Sequence, residues 1–419
     1  MQISITEGTD LILVPTQQFK TNRIVVSFMT DLTDVRSLSA RTLLSNLLET
    51  SSKDFPTQRR TAMELSSMYG AAFGTTVNRQ GNIHMINFIF SCIDDKFLKE
   101  PAGLVDAGFG FLKKMIMNPL AEGGEFDHDT FQRQKQNLIS YMNSIKDNKQ
   151  SYASLKLQES YFDSSVQGSP VFGSVAELEG LDAGDLYDTW LDMIANDRIQ
   201  ILVSGAVDTQ KVRAHAESFG FAPRKVSSFN MNYSQPARDE VREKAERQDL
   251  SQGKLDLAYR LDVPYRSRLH YAALVFNGIF GATPLSKLFV NVREKESLAY
   301  YASSFYDPYR QLLMVQTGIQ SSDRDHVLEL VAGQLKDLAE GRFDDELMEN
   351  VKSSLINDFE SRLDSQMTAV NRVRNDILTG TSVSGEEWIR LIRGVSRQEV
   401  MEVAGMVQLQ NIYFLDGGK

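Results

Sequence analysis

Cysteine and long apolar runs are both scarce in this chain of 419 residues. Cys92 is its single cysteine, which excludes an internal disulfide and a cysteine-rich metal site. No apolar run approaches the roughly eighteen residues that a transmembrane helix needs. The amino-terminal segment lacks a basic region followed by an apolar stretch, so we expect no secretory signal. These absences predict a cytoplasmic protein.

Positive charge is also in short supply. Lysine and arginine number 45 against 55 aspartate and glutamate residues, which gives a net charge of −10. Phosphate binding needs a basic patch, so we expect no nucleic-acid partner. The hydrophobic share of 42% and the charged share of 24% are typical of globular proteins. The length is ample for two cores.

Histidine is missing where several enzyme families need it. No histidine lies between Thr30 and Asn82, and the H-E-x-x-H, phosphate-loop, dinucleotide and nucleophile-elbow motifs are all absent. In the segment from His326 to Leu330, a leucine stands where an inverted zinc motif would have its second histidine. The sequence therefore predicts no catalytic residue and no metal ligand in this chain. The five histidines are scattered: His84, His128, His215, His270 and His326.

The two halves of the chain repeat the same landmarks in the same order. A Leu-Ala-Glu-Gly segment is followed shortly by Phe126 in the first half and by Phe343 in the second. A helical pattern with lysine, leucine and isoleucine at matching offsets comes next. Each half then has a short apolar strand that ends at glycine, Ile199–Gly205 and Ile412–Gly417. Chance similarity between two α+β domains is the weaker explanation.

The patterns predict an α+β fold with two tandem homologous domains, each a mainly antiparallel sheet packed with helices. We predict an amino-terminal domain over 1–225, a linker over 226–254 and a carboxy-terminal domain over 255–419. The linker prediction rests on the polar composition from Ser227 to Lys254. Predicted strands include Ile24–Thr30, Leu255–Leu261 and Leu312–Ile319, and Ser39–Glu49 is a predicted buried helix.

The stretch from Thr283 to Tyr306 carries the sharpest signal. Thr283 before a proline predicts a helix N-cap, and Leu285, Leu288, Phe289 and Val292 form an apolar helical stripe. Arg293 ends this helix, and strand-forming residues begin near Leu298. A helix-to-strand turn therefore separates Arg293 from Tyr300, and the guanidinium and the phenol can converge there. Alternatively, Arg293 is a helix-end cation and Tyr300 a half-buried strand residue.

This arginine–tyrosine stretch resembles the second-domain signature of the pitrilysin-type (insulinase-like) zinc peptidases. The resemblance implies tandem α+β domains, and it assigns Arg293 and Tyr300 to substrate binding. In that family the pair hydrogen-bonds the peptide carbonyl and the oxyanion formed from it. Gly278 and Gly281 resemble a reduced form of the family's glycine-rich segment, although close backbone packing explains them more simply.

The zinc motif of that family, H-x-x-E-H, is degenerate in this sequence. The resemblance places Thr42 and Asn46 at the two histidine positions and Ser45 at the glutamate position. The third ligand position falls on Tyr141. A shift of the alignment by a residue restores nothing, because this region holds no histidine. The resemblance therefore implies no zinc or other cofactor in this chain.

The resemblance implies a non-catalytic bacterial subunit of a two-chain zinc metallopeptidase, similar in role to the zinc-less subunit of the mitochondrial processing peptidase. Arg293 and Tyr300 would act opposite the zinc of a homologous, zinc-bearing partner on an extended peptide. In isolation, a homodimer can stand in for that pair. The alternative is a catalytically silent scaffold or peptide-binding protein of the same fold. The substrate and the partner's identity stay open.

Overall fold

Two β-sheets organise the chain, and apolar strands supply most of both cores. The structure, a computed structural model, describes residues 1–225, 228–296 and 298–417. Its strands are β1 Gln2–Thr6, β2 Thr9–Pro15, β3 Thr21–Asp31, β4 Ala72–Gln80, β5 Ile83–Ile93, β6 Ala121–Glu122, β7 Glu125–Phe126, β8 Arg198–Gly205, β9 Arg242–Arg247, β10 Gly253–Arg260, β11 Ala299–Asp307, β12 Leu312–Ile319 and β13 Gln408–Asp416.

Helices cover both sheets. They are α1 Val35–Thr50, α2 Gln58–Ser67, α3 Leu104–Met117, α4 His128–Ser144, α5 Lys149–Tyr161, α6 Ser165–Gly168, α7 Val175–Glu179, α8 Ala183–Asn196, α9 Thr209–Ser218, α10 His270–Asn277, α11 Arg324–Ala339, α12 Asp345–Leu363, α13 Gln366–Thr379, α14 Gly385–Arg393 and α15 Arg397–Met406. Among the described residues, no helix combines the length and the apolar character needed to cross a membrane.

The first sheet has the strand order β1-β2-β8-β3-β5-β4. Its pairs are antiparallel except β2 with β8, which run parallel. Ile24, Val26 and Phe28 of β3 alternate onto one face and are fully buried, and Phe28 packs edge-on against Phe88 of β5 at 5.8 Å. This face carries the core that α1, α3 and α8 cover.

The second sheet has the order β11-β12-β10-β13-β9 and one parallel pair, β13 with β9. The strand β9 lies inside the stretch predicted as a linker, and two residues of that stretch, 226 and 227, lie outside the described residues. Its sequence, Arg-Glu-Lys-Ala-Glu-Arg, is almost entirely exposed. Charge on an edge strand discourages pairing with other chains, which accounts for a strand with so little apolar content.

The two halves share their topology. The order β4-β5-β3-β8-β2 in the first sheet matches β11-β12-β10-β13-β9 in the second. Lys135 of α4 and Lys352 of α12 hold equivalent positions, since each donates to a carbonyl three residues before the N-cap of the next capping-box helix. These acceptors are Glu179 O at 3.0 Å before α8 and Arg393 O at 3.2 Å before α15. The predicted fold class is confirmed.

The chain divides into two compact units that each include a segment from the opposite half. One unit comprises Met1–Asn143, Pro170–Phe229 and Ser365–Gly380, and the other comprises Ser144–Ser169, Asn230–Asp364 and Thr381–Lys419. The exchanged helices are α5 and α13, whose first residues are separated by the same offset as Phe126 and Phe343. The exchange is thus reciprocal. The predicted continuous domains, 1–225 and 255–419, describe the two repeated stretches of sequence and stay a prediction.

Candidate functional site

The helix that leads to Arg293 is wider than an ordinary α-helix. Residues Leu288–Lys295 and the preceding segment Gly278–Ala282 have π-type hydrogen bonding. Thr283 was predicted to cap this helix, and that detail is wrong: its hydroxyl donates back to Gly278 O at 2.9 Å. Ser286 takes the capping role, because its hydroxyl accepts from the N–H of Phe289. π-Helical turns are rare and concentrate at functional sites.

The predicted apolar stripe is real but narrower than the sequence indicates. Leu288 and Val292 are fully buried, Phe289 is half-buried and Leu285 is exposed. A π-type helix advances by a smaller angle per residue than an α-helix, so positions spaced for an α-helix drift off one face. Leu288 and Val292 remain in the core and anchor the helix there.

Arg293 is exposed, and its guanidinium lies over the ring of Phe289 at 4.5 Å. It forms no ion pair with any carboxylate in the described part of the chain. Stacking on an aromatic face restricts the side chain without using its N–H donors. The guanidinium is therefore held in place and free to bind an acceptor from another molecule.

Tyr300 is 77% exposed because the strand is irregular where it lies. Ala299 pairs with Ile319 but Tyr301 pairs with Gly318, so Tyr300 is an extra residue in β11. A bulge of this kind redirects a side chain and is frequent beside active sites. The ring of Tyr301 fits at the bulge only because residue 318 is glycine, since an added Cβ would lie 2.5 Å from that ring.

The backbone brings Arg293 and Tyr300 to one place in their unit. The N–H of Leu298 donates to Val292 O at 3.2 Å, which ties the start of β11 to the last turn of the helix. Arg293 directly follows one end of that bond and Tyr300 lies two residues beyond the other. Residue 297 lies outside the described residues. One charged and one neutral donor group therefore extend from residues next to the two ends of this backbone hydrogen bond.

The two glycines before this helix serve packing. An added Cβ at Gly281 would lie 2.7 Å from the backbone nitrogen of Ser304 in β11, and one at Gly278 would lie 2.5 Å from Val351. The Ser304 hydroxyl also donates to Asn277 Oδ1 at 2.6 Å. The segment is thus pressed against the strand that carries Tyr300, which agrees with the simpler explanation of these glycines.

In the other unit, the helix α1 carries the degenerate zinc motif and is closed against β4. The Ser45 hydroxyl donates to Thr75 Oγ1 at 2.9 Å, and the Glu49 carboxylate accepts from Thr75 N at 2.9 Å. Thr42 and Ser45 are both buried. Small neutral side chains allow the strand to approach the helix this closely. A histidine or glutamate at position 45 would overfill that space.

A buried network occupies the first turns of α1. Arg41 binds Asp197 through two N–H···O bonds of 3.1 and 2.6 Å, and its Nε donates to His84 Nδ1 at 3.0 Å. Burial and the charge of Arg41 lower the pKa of His84 well below its usual value. The imidazole is therefore neutral and already used as an acceptor. His84 is thus a buried member of this polar network.

Tyr141 stands at the position of the third zinc ligand and does not suit the metal. It is 56% exposed and packs edge-on against Phe172, with ring centroids 5.7 Å apart. Hydroxyl, amide and phenol groups replace the imidazoles and carboxylates that zinc prefers. Across residues 1–225, 228–296 and 298–417, no group of three or more His, Cys, Asp or Glu side chains is placed to hold a metal ion. The residues at the motif do not fit zinc.

We expect the purified chain to bind no stoichiometric zinc and to cleave no peptide. The reason is the ligand chemistry at Thr42, Ser45, Asn46 and Tyr141 together with the closure of α1 against β4. Metal analysis after equilibration with zinc and an assay on unfolded protein substrates measure this. About one equivalent of bound zinc with chelator-sensitive proteolysis would contradict it.

Known proteins align with nearly the whole length of this chain. Residues 180–355 match a family model described as the peptidase M16 inactive domain. The probable inactive metalloprotease YmfF of Bacillus subtilis (strain 168) is 26% identical over 405 residues, 97% of this chain and 95% of that protein. The crystal structure of a conserved protein from Enterococcus faecalis V583 is 39% identical with a TM-score of 0.96, covering 100% of this chain and 98% of that one.

A more distant structure shares the fold. The peptidase M16 inactive domain from Pseudomonas fluorescens has a TM-score of 0.81 at 15% identity, covering 100% of this chain and 98% of that one. Its likeness agrees with the two mixed sheets and their helices. Taken with the family model matched over residues 180–355, these relatives show that the chain belongs to the M16 (pitrilysin-like) peptidase family.

Proposed function

We propose that this chain is the non-catalytic subunit of a two-chain zinc metallopeptidase. It donates Arg293 and Tyr300 to the active site of a homologous partner that carries the zinc. Arg293 would bind the carbonyl of an extended peptide, and Tyr300 would donate to the oxyanion formed from that carbonyl, while the partner's zinc would supply an activated water. The observation that carries this proposal is the exposed, preorganised donor pair in a chain whose own motif does not fit zinc.

The local geometry of the turn between Arg293 and Tyr300 supports a binding role for these two residues. The bulge at Tyr300 and the π-type helix both depart from regular structure at the turn where Arg293 stacks on Phe289. Each departure has a cost in free energy that a surface without function does not require. Their coincidence at the two residues with donor groups favours a binding role over an ordinary helix-end cation and strand tyrosine.

The second candidate function is a scaffold or peptide-binding subunit without a part in catalysis. It is supported by the name of the Bacillus subtilis relative, a probable inactive metalloprotease. In that case a partner still assembles with this chain, but the turn at Arg293 and Tyr300 has no effect on chemistry. The two functions therefore differ in whether peptide hydrolysis needs this chain.

Reconstitution of the two-chain complex distinguishes the two candidate functions. Each M16 chain of the same genome that retains H-x-x-E-H is purified alone, and its peptidase activity is measured with and without this chain. We expect one of them to form a stable heterodimer and to need this chain for turnover. A heterodimer whose partner is equally active alone would support the scaffold. If no such chain binds, the two-subunit proposal fails.

A further inference from the structure

An arginine lies in the apolar stripe of the exchanged helix α13. Val370 is fully buried against Ile12, Val25 and Leu202 of the first sheet, and Met367, Val373 and Ile377 pack beside it. Arg374 falls in the same stripe, one turn after Val370. Its side chain therefore points into the sheet, and Arg374 is only 5% exposed.

The sheet below Arg374 has a polar row that crosses its strands. Gln200 of β8, Ser27 of β3, Asn87 of β5 and Thr76 of β4 are successive register partners. Directly paired residues of antiparallel strands have their side chains on one face, about 5 Å apart. The Ser27 hydroxyl donates to Asn87 Oδ1 at 2.7 Å, and the Asn87 amide donates to Thr76 Oγ1 at 3.2 Å. Gln200, Ser27 and Asn87 of this polar row are buried beneath the helix, and Thr76 at its end is exposed.

The polar row does not neutralise the arginine. Arg374 donates from Nη2 to Ser27 Oγ at 2.8 Å and from Nη1 to Asn371 Oδ1 at 3.4 Å, and both acceptors are uncharged. Within the described residues it has no ion pair with a carboxylate, and burial alone lowers its pKa to about 10. A buried, unpaired charge is among the costliest features a fold can contain.

Arg374 itself and the nearby Gln200 have unused hydrogen-bonding capacity. The Nε–H of Arg374 is buried without a partner, and so are both amide atoms of Gln200, a residue that is 0% exposed. Gln200 is the register partner of Ser27, which Arg374 contacts. The unused guanidinium donor and the unused amide donor thus belong to neighbouring side chains. Asp10 of β2 is the register partner of Gln200 and extends the polar row by one residue. It is the one acid in that row, and it pairs with Arg198 at 3.4 Å.

We propose that Arg374 and Gln200 form a binding site for a small inorganic anion of chloride size, between α13 and the first sheet. The Arg374 Nε–H and the Gln200 amide N–H donate to the anion, and its charge compensates the guanidinium. The depth of the site excludes a peptide carboxylate. The bound anion stabilises the packing of α13, which comes from the second half of the sequence, against the first sheet.

The test is thermal unfolding of the full-length chain in sodium chloride and in sodium gluconate at matched ionic strength. A bound anion stabilises the folded state by mass action, so we expect a saturable rise of the midpoint with chloride, by about 2–4 °C. Bromide should act in the same way. In crystals grown with bromide, its anomalous signal should lie beside Arg374 Nε.

Variants make the result specific to the site. Arg374→Met and, as a milder change, Gln200→Met should unfold at midpoints that no longer depend on chloride. Arg393→Met removes an exposed arginine and should retain the full dependence. Equal midpoints of the unaltered chain in the two salts would overturn the site, as would loss of the chloride effect in Arg393→Met. A bromide signal elsewhere but not at Arg374 would overturn it too.

Discussion

In the reconstituted two-chain peptidase, Tyr300→Phe is expected to lower turnover by about a hundred- to a thousand-fold, the usual effect of losing one oxyanion donor. The change removes a single hydroxyl and keeps the ring. Because Tyr300 is 77% exposed and displaced outward by a bulge, its hydroxyl contributes little to folding. Turnover in the mixed complex, with the thermal midpoint of each variant, measures the effect.

Arg293→Ala should lower turnover to a similar extent and also raise the Michaelis constant, since the guanidinium binds the substrate carbonyl before reaction. Lys295→Ala is the matched control: it removes an exposed cation two residues later, and Lys295 bonds only Asn291 among the described residues. Tyr69→Phe removes another exposed phenol hydroxyl, in the other unit. Neither control should change turnover.

The scaffold function predicts the opposite pattern. If both variants assemble with the partner, melt normally and hydrolyse peptide at the unaltered rate, Arg293 and Tyr300 are not site residues. A loss of assembly in either variant would instead place the turn in the subunit interface. Loss of turnover in the controls as well would indicate a general effect of surface charge.

Arg41→Met is expected to destabilise the chain by about 3–5 kcal/mol, because it leaves the Asp197 carboxylate buried without its partner. Arg41 and Asp197 side chains are 3% and 1% exposed and form a bidentate pair. The same change also removes the donor to His84 Nδ1. Denaturant unfolding of the variant and of the unaltered chain measures the loss.

The helix α1 supplies its own control for this experiment. Arg36 pairs with Asp185 at 2.9 Å, but their side chains are 46% and 37% exposed. Solvent screens such a pair, so Arg36→Met should cost less than about 1 kcal/mol. The double change Arg41→Leu with Asp197→Leu should recover much of the stability, since both charges leave together. Equal losses for Arg41→Met and Arg36→Met would contradict the distinction.

Local patterns in the sequence were enough for the fold class and for the absence of a zinc motif. Strand β3 and helix α1 follow from apolar runs and spacing, which depend on neighbours a few residues away. The repeat of Phe126 and Phe343 indicated the duplication. The missing histidines at Thr42 and Asn46 excluded an inverted zinc motif without any knowledge of packing, because ligand chemistry is a property of residue type.

The sequence predicted the candidate site only in part. The spacing of Arg293 and Tyr300 identified the turn, but the helix type depends on how Leu288 and Val292 fit the core. The bulge that exposes Tyr300 depends on the pairing of Tyr301 with Gly318, a contact between separate strands. Stacking of Arg293 on Phe289 was within reach of the sequence, since the two residues are one turn apart.

By itself, the sequence determined residue types, local periodicity and the repeat, and through them the α+β class, the missing zinc ligands and the position of the donor pair. Tertiary structure alone decided the exchange of α5 and α13, the strand β9 in a stretch with hardly any apolar residues, and the burial of Arg374. The reason is physical. A helix stripe such as Val370 to Ile377 specifies that some surface will cover it, but which of two similar sheets does so depends on contacts far apart in the chain.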